Sequence, residues 1–191
     1  GSKEPIFEKL NISIPKNKHT VITGPNGSGK STLLGIISKI FYPEEGFIKI
    51  NSKETGYVGV TPLIINGTLR ENFLYGNKLE KNDKEIKELM DEFELFNNDE
   101  KNLDSIVNSK TLSSGQMQKI SFIRSLLAES KILLLDESTS NLDVVTKELI
   151  FRILKQKKIT IINSTHNKED FKYDHHLKIS YIGEKRNVEF Q

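Results

Sequence analysis

The chain has no cysteine, which excludes disulfides and cysteine-based metal sites, and its four histidines stand at no zinc-ligand spacing. Long hydrophobic runs are missing as well. The longest, Ile132 to Leu135, falls far short of a membrane span, and no signal peptide is visible. Nor is there an excess of one charge. Lys+Arg 28 against Asp+Glu 26 leaves +2, which by itself implies no nucleic acid or acidic partner. Internal repeats and low-complexity tracts are absent. The 191 residues suffice for one domain with a real core. The expectation is a soluble, intracellular domain whose membrane association, if any, comes through a partner or a further segment. Gly1-Ser2 reads as the scar of a cleaved tag, so the domain is taken as residues 3–191.

The most informative stretch is Gly24-Pro25-Asn26-Gly27-Ser28-Gly29-Lys30-Ser31-Thr32, which fits G-x-x-x-x-G-K-[ST] without mismatch. Before it, His19 to Thr23 reads as a short β-branched strand; after it, Leu33, Leu34, Ile36, Ile37 and Ile40 recur at helical spacing. Glycines let the backbone turn successive N–H groups round a phosphate, and the helix adds its positive dipole end. Lys30 is expected to reach the β- and γ-phosphates and the Ser31 hydroxyl to ligate Mg²⁺. A chance glycine turn would lack the Lys-Ser pair and both flanking elements. The chain is predicted to bind a nucleoside triphosphate.

Elsewhere, Ile6 to Ile14 alternates like a strand, Gly46 to Ile50 and Tyr57-Val58 read as short strands, and Thr68 with Glu71 caps a short helix over 68–75. Ile86, Leu89, Met90, Phe93 and Phe96 place an amphipathic helix over 83–96, and 97–111 reads as polar loop. A helix over about 115–128, a buried strand 131–136, a helix over about 144–157 and a strand 159–163 follow. From Leu177 the tail alternates like two edge strands round Gly183-Glu184. Phe7 and Tyr57 are expected in the core, and His175-His176 on the surface. Strands alternating with helices predict an α/β fold: a mostly parallel sheet with helices on both faces, a small antiparallel part and a helical subdomain at about 68–128.

Leu133-Leu134-Leu135-Asp136-Glu137 is an apolar strand ending in two acids, and ligands of open α/β sheets sit at the carboxyl ends of the strands. One carboxylate can hold Mg²⁺ through water and the next can take a proton from the attacking water. Upstream stands Leu112-Ser113-Ser114-Gly115-Gln116; downstream stand Ser140-Asn141-Leu142-Asp143 and Ser164-Thr165-His166. In that order, over about residues 5 to 185, these resemble the nucleotide-binding domain of ABC (ATP-binding cassette) ATPases: Walker A, signature, Walker B, D-loop and switch histidine.

The resemblance implies the P-loop NTPase (RecA-like) fold, ATP and Mg²⁺ as ligands, and two domains stacked head to tail with ATP between them. It casts Asp136 as Mg²⁺ ligand through water beside Ser31, and Glu137 as general base. His166 would bridge the γ-phosphate, Glu137 and the facing D-loop, where Asp143 lies. Gly24, Asn26, Gly27, Ser28, Gly29, Lys30 and Thr32 would cradle the phosphates, while Ser113, Ser114, Gly115 and Gln116 would meet the nucleotide of the partner.

Tyr57 to Asn72 looks like the exporter pattern Y-V-x-Q-x-P-x-L-F-x-G-T-I-R-E-N, and the short link from Gly46 to Tyr57 is similar to the first cassette of the multidrug-resistance-protein and cystic-fibrosis-channel branch. The implied partners are a transmembrane domain of the same transporter and a second cassette, like or unlike, at the cytoplasmic face of a membrane; no nucleic acid is expected. Four departures stand out. Val60 replaces the glutamine of the Q-loop, and Ser114 replaces a glycine of the signature. Ser105 to Thr111 replaces the acidic, glycine-rich segment before the signature, and the adenine-stacking aromatic would lie before residue 1. Slow hydrolysis powering an exporter is the expected function; the alternative is a cassette that binds ATP to gate or regulate with little turnover. A soluble relative acting on nucleic acid or ribosomes is the third and weakest reading.

Overall fold

A computed structural model describes residues 5–52, 54–96, 102–183 and 185–191. Its strands are β1 (His19–Thr23), β2 (Thr55–Val58), β3 (Gly67–Thr68), β4 (Ile106–Val107), β5 (Ile132–Asp136), β6 (Thr160–Ser164), β7 (His175–Ile182) and β8 (Lys185–Phe190). Its helices are α1 (Lys30–Ile37), α2 (Leu69–Leu74), α3 (Asp83–Glu92), α4 (Ser114–Leu127) and α5 (Val144–Gln156), with one 3₁₀ turn at Lys168–Asp170. Six strands form a sheet in the order β2-β5-β6-β1-β7-β8, parallel except for the antiparallel β7–β8 edge; β3 and β4 pair separately.

Side chains alternate across a strand, and here the alternation sorts the core into two layers. Leu133, Leu135 and Ile161 face a cluster that includes Ile120 and Ile123 of α4 and Ile150 and Ile153 of α5. Leu134 and Ile162 face the other way, with Ile22, Leu177 and Ile179, onto Leu33 and Leu34 of α1. β5 is apolar throughout because both its faces are covered, as parallel strands require.

Four helices end alike. In α1, α3, α4 and α5 a paired i+5 and i+3 hydrogen bond closes the last turn, as in Leu95 N to Met90 O with Glu94 N to Asp91 O, and Ile159 N to Leu154 O with Lys158 N to Lys155 O. Each closure puts a residue in the left-handed region, and none of the four is glycine: Lys39, Glu94, Glu129 and Lys158, with φ between 48° and 63°. This ends α3 at Glu92, short of the residue 96 expected from its apolar stripe.

Several expectations need correction. Ile6 to Ile14 and Gly46 to Ile50 are not strands, because no neighbouring strand pairs with either among the described residues; alternation without a partner does not make a strand. Phe7, Ile12 and Ile14 nevertheless pack on the second core cluster. Within 97–111, residues 97–101 lie outside the described residues, and the rest is less loop-like than its composition: it holds β4 and buries Leu103 and Val107. Glu184 of the expected turn is also outside them. His176 is buried, its Nε2 2.8 Å from Thr23 Oγ1. Tyr57 is 43% exposed, because its ring lies along the site end of the sheet. No helix among the described residues is long and apolar enough to cross a membrane.

His19, at the opposite end of β1 from the glycine loop, is buried and stacked on Phe151 at 4.8 Å. Burial pushes its pKa from 6.5 to about 4 against weaker opposing pulls from the Lys172 carbonyl and Asp174. The unfolded chain therefore takes a proton first as pH falls. Stability is whole above about pH 6.5 and is lost progressively toward pH 4. Denaturant titration at pH 7 and pH 5 should show this group costing about 2 kcal/mol. His19→Phe, which keeps the stack, should flatten the dependence; an unchanged slope would count against the assignment.

Lys158 is exposed at a left-handed position. Lys158→Gly should relieve the Cβ clash there, partly offset by the entropy of glycine, for a net gain of about 0.5 kcal/mol. The urea midpoint reads this directly.

Candidate functional site

β1 delivers the chain into the glycine loop at Gly24. A Cβ there would stand 2.7 Å from both Ile179 O and Ser28 Oγ, so only glycine lets the loop approach β7 this closely. Gly29 takes φ 103° as the N-cap of α1 and offers no capping side chain, so the first N–H groups of α1 have no partner within the helix. No acidic residue occupies that first turn. Lys30 is buried, its ammonium donating to Gly24 O at 2.9 Å and Pro25 O at 3.3 Å, which folds the side chain back over the loop. Asn26, Gly27 and Ser31 are exposed and Thr32 is half-buried. Ser28 Oγ is buried without a partner, as are Ser138 Oγ and Ser164 Oγ near the ends of β5 and β6. Uncapped N–H groups, a lysine and an orphaned hydroxyl round one loop fit a polyphosphate.

Two strands away, β5 ends in Asp136 and Glu137. Glu137 stands at φ 52°, and its N–H donates to Ser164 O at 3.1 Å, which ties the turn to β6. At the end of β6, His166 Nε2 lies 2.9 Å from Glu137 Oε1, so the Nε2–H tautomer donates to the carboxylate. A left-handed glutamate that grips a histidine across two strand ends is a costly arrangement to hold, of the kind found at functional sites. Asp136 accepts a hydrogen bond from the Tyr57 hydroxyl, Oδ2 at 2.8 Å; burial, reinforced by this carboxylate, pushes the Tyr57 phenol up. That role for Tyr57 was missed in sequence because a tyrosine in an alternating strand reads as core.

Among the described residues no group of three or more His, Asp or Glu could hold a metal. The donor set still fits Mg²⁺, which keeps several waters, borrows phosphate oxygens and needs only one or two protein ligands. Ser31 and Asp136 are of that type and stand at the same end of the sheet.

The signature residues sit apart from this end. Ser113 N-caps α4 in a reciprocal box: its Oγ accepts from Gln116 N at 3.2 Å, and Gln116 Oε1 accepts from Ser113 N at 2.9 Å. Ser114 and Gly115 form the first turn, and a Cβ on Gly115 would meet only Leu142 at 3.8 Å. Asp143 caps α5, taking Thr146 N at 2.9 Å and Thr146 Oγ1 at 2.7 Å, bonds that hold its carboxyl below the usual range. Ser113, Gly115, Gln116, Lys119 and Asp143 line one recess of about 550 Å³. The fold thus makes two clusters: the loop with Asp136, Glu137 and His166, and the signature with Asp143.

Val60 is exposed on the loop after β2 and offers no polar side chain there. The backbone of that loop is held from α4. Gln118 Nε2 donates to Val60 O at 2.9 Å, while Arg124 donates to Leu63 O at 2.8 Å and to Asn72 O at 2.7 Å. Neither Gln118 nor Arg124 was singled out in sequence, since nothing local marks a helical side chain that serves a distant loop.

The ABC transporter family model matches residues 7–140. The ATP-dependent permease MDL1 of Candida albicans is 34% identical over 84% of this chain and 27% of its own length. The glutathione/L-cysteine transport system ATP-binding/permease protein CydD of Haemophilus influenzae is 33% identical over 94% of this chain and 33% of its own. The mitochondrial iron-sulfur clusters transporter ATM1 of Debaryomyces hansenii is 32% identical over 85% of this chain and 25% of its own. The chain thus spans about a quarter to a third of these relatives. A bacterial Atm1-family ABC exporter solved with ATP bound superposes with TM-score 0.81 at 24% identity, covering 91% of this chain and 34% of that one, which shows the shared fold. With its motifs in family order and its relatives among exporters, the chain belongs to the ABC transporter family as an exporter-type nucleotide-binding cassette.

Proposed function

We propose that this cassette binds ATP with Mg²⁺ in the Gly24–Thr32 loop and hydrolyses it to power an exporter-type membrane transporter. The observation that carries the reading is the Glu137–His166 contact at the same sheet end as the loop. Glu137 acts as general base through the oxygen that His166 leaves open. His166 orients that carboxylate and reaches toward the terminal phosphate. Lys30 exchanges its carbonyl partners for phosphate oxygens, and the uncapped N–H groups of α1 hold the chain of phosphates. Ser31 and, through water, Asp136 would hold Mg²⁺, which would supply positive charge against the terminal phosphates. Tyr57 fixes the orientation of Asp136.

The separate recess of the signature supports a head-to-tail pair in which each cassette offers Ser113, Ser114, Gly115, Gln116 and Asp143 to the nucleotide of the other. The partners are then a second cassette and a transmembrane domain of the same transporter, with the cassette at the cytoplasmic face. Residues 3–191 form one ATPase domain whose helical subdomain covers about 68–128; no nucleic acid partner is expected.

Glu137→Gln tests the reading. It keeps size and the contact with His166 while removing the base, so turnover should fall at least about a hundredfold. Light scattering with excess Mg-ATP should then show a trapped dimer. A variant with wild-type turnover would sink the assignment of the base.

Val60 sets the expected pace. Its exposed side chain can neither ligate Mg²⁺ nor orient water, although Gln118 keeps the loop backbone in place. Positioning is most of what catalyses phosphoryl transfer, so turnover is slow while ATP affinity stays ordinary. Val60→Gln should raise steady-state ATPase about tenfold with little change in nucleotide affinity. An unchanged rate in a dimerising preparation would shift the defect to Ser114.

A further inference from the structure

A loop that turns its N–H groups toward a phosphate must turn its carbonyls away, and those carbonyls need partners of their own. Here the partners come from β7 and β8. Arg186 Nε donates to Ser28 O at 3.0 Å and Arg186 Nη2 to Gly27 O at 3.2 Å. The Tyr181 hydroxyl also donates to Gly27 O, at 3.3 Å, and the guanidinium carbon sits 5.5 Å from the Tyr181 ring centre. Tyr181 and Arg186 are directly opposite in the antiparallel ladder, so one cross-strand pair provides all three bonds. The strand that carries Tyr181 runs beside β1 up to Thr23 opposite Lys178, one residue before the loop begins. Ile179 O then blocks any side chain at Gly24. The hairpin is therefore braced against the loop at its entry and holds it from behind in its middle.

We propose that the β7–β8 hairpin is a clamp on the phosphate loop, with Arg186 and Tyr181 as positioning residues that preset its N–H cradle for a polyphosphate chain. The proposal rests on the nucleotide-binding reading above. Gly27 stands at φ 74°, and a Cβ there would meet nothing within 4 Å, so beside the Ser28 N to Pro25 O bond the cross-strand pair is what holds the middle of the loop. Without the clamp, binding would bear more of the cost of ordering it. Arginine suits the task because its planar fork holds its donors in a fixed geometry toward two successive carbonyls, so less freedom is lost per bond than with a flexible ammonium. Its charge also adds to the field that the loop presents to an anion.

The test compares Arg186→Ala, Arg186→Lys and Tyr181→Phe with the wild type and with Lys30→Ala. Binding is read with a fluorescent N-methylanthraniloyl-ATP probe, and by its displacement with ATP and with inorganic tripolyphosphate. Nucleotide-free melting midpoints are followed alongside. Arg186→Ala should weaken probe, ATP and tripolyphosphate alike by about tenfold, with the midpoint nearly unchanged. Arg186→Lys should fall between alanine and wild type. Tyr181→Phe, the mildest change, should lose about twofold and keeps the test open should the alanine variant fold poorly. Unaltered tripolyphosphate affinity in both Arg186→Ala and Tyr181→Phe would overturn the clamp. So would a loss confined to ATP, which would place Arg186 on the nucleoside, or full wild-type affinity in Arg186→Lys, which would leave only its charge. A wild type that binds no probe, or Lys30→Ala binding as well as wild type, would instead overturn the nucleotide reading itself.

Discussion

Parallel pairing of β5 with β6 and of β6 with β1 is the constraint on which the site depends. In the shared register Asp136 lies opposite Ser164, and Ser164 opposite Ile22. Parallel strands all point the same way, so the chain leaves each of them at one edge. It passes into the glycine loop after Thr23, to Glu137 after Asp136, and to His166 shortly after Ser164. The ladder continues past the strands themselves: Glu137 N donates to Ser164 O and Thr165 N to Ile22 O. A slip of one residue between β5 and β6 would invert Leu133, Leu134 and Leu135 between the two core layers, so burial of both faces holds Glu137 and His166 in line.

The second cluster is organised by α4. Its first turn presents the signature at the recess, while Gln118 and Arg124 farther along hold Val60 O and Leu63 O of the loop after β2. One helix thus joins the signature to the loop that follows β2. Buried residues Ile120, Phe122 and Ile123 keep that helix seated on the sheet, so its position is decided by packing rather than by its polar contacts. The capping box of Ser113 and Gln116 then serves two ends at once. It satisfies the N-terminus of α4 and fixes the Ser113 hydroxyl and the Gln116 amide at the recess.

Some of this was legible in the residues and some was not, for identifiable reasons. The capping box of Thr68 and Glu71, the apolar run of β5, the start of α3 with its apolar stripe and the span of α4 carry their own local signals, and these appear where expected. The end of α3 was placed too late because a left-handed closure usually announces itself by glycine, whereas Glu94 stands there instead; the ends of α4 and α5, closed by Glu129 and Lys158, fall within a residue of expectation. Ile6 to Ile14 and Gly46 to Ile50 alternate correctly and still form no strand, because a strand is a property of a pair. His175 and His176 look alike in sequence. One is stacked on Phe190 at the edge, and the other is buried beside Thr23.

Sequence alone determined the phosphate loop, the order of the motifs and the alternation of strands with helices, because each rests on residues a few positions apart. Backbone conformation at a glycine, a lysine after a tight turn and apolar periodicity are local physics, readable without a fold. Only the tertiary structure decided which groups meet. Glu137 and His166, Tyr57 and Asp136, and Arg186 and the loop carbonyls are separated by tens of residues or more, up to 159 between Arg186 and Gly27. Their contacts exist because sheet order and register bring distant strand ends to one edge, and no local pattern encodes which strand will be the neighbour of which.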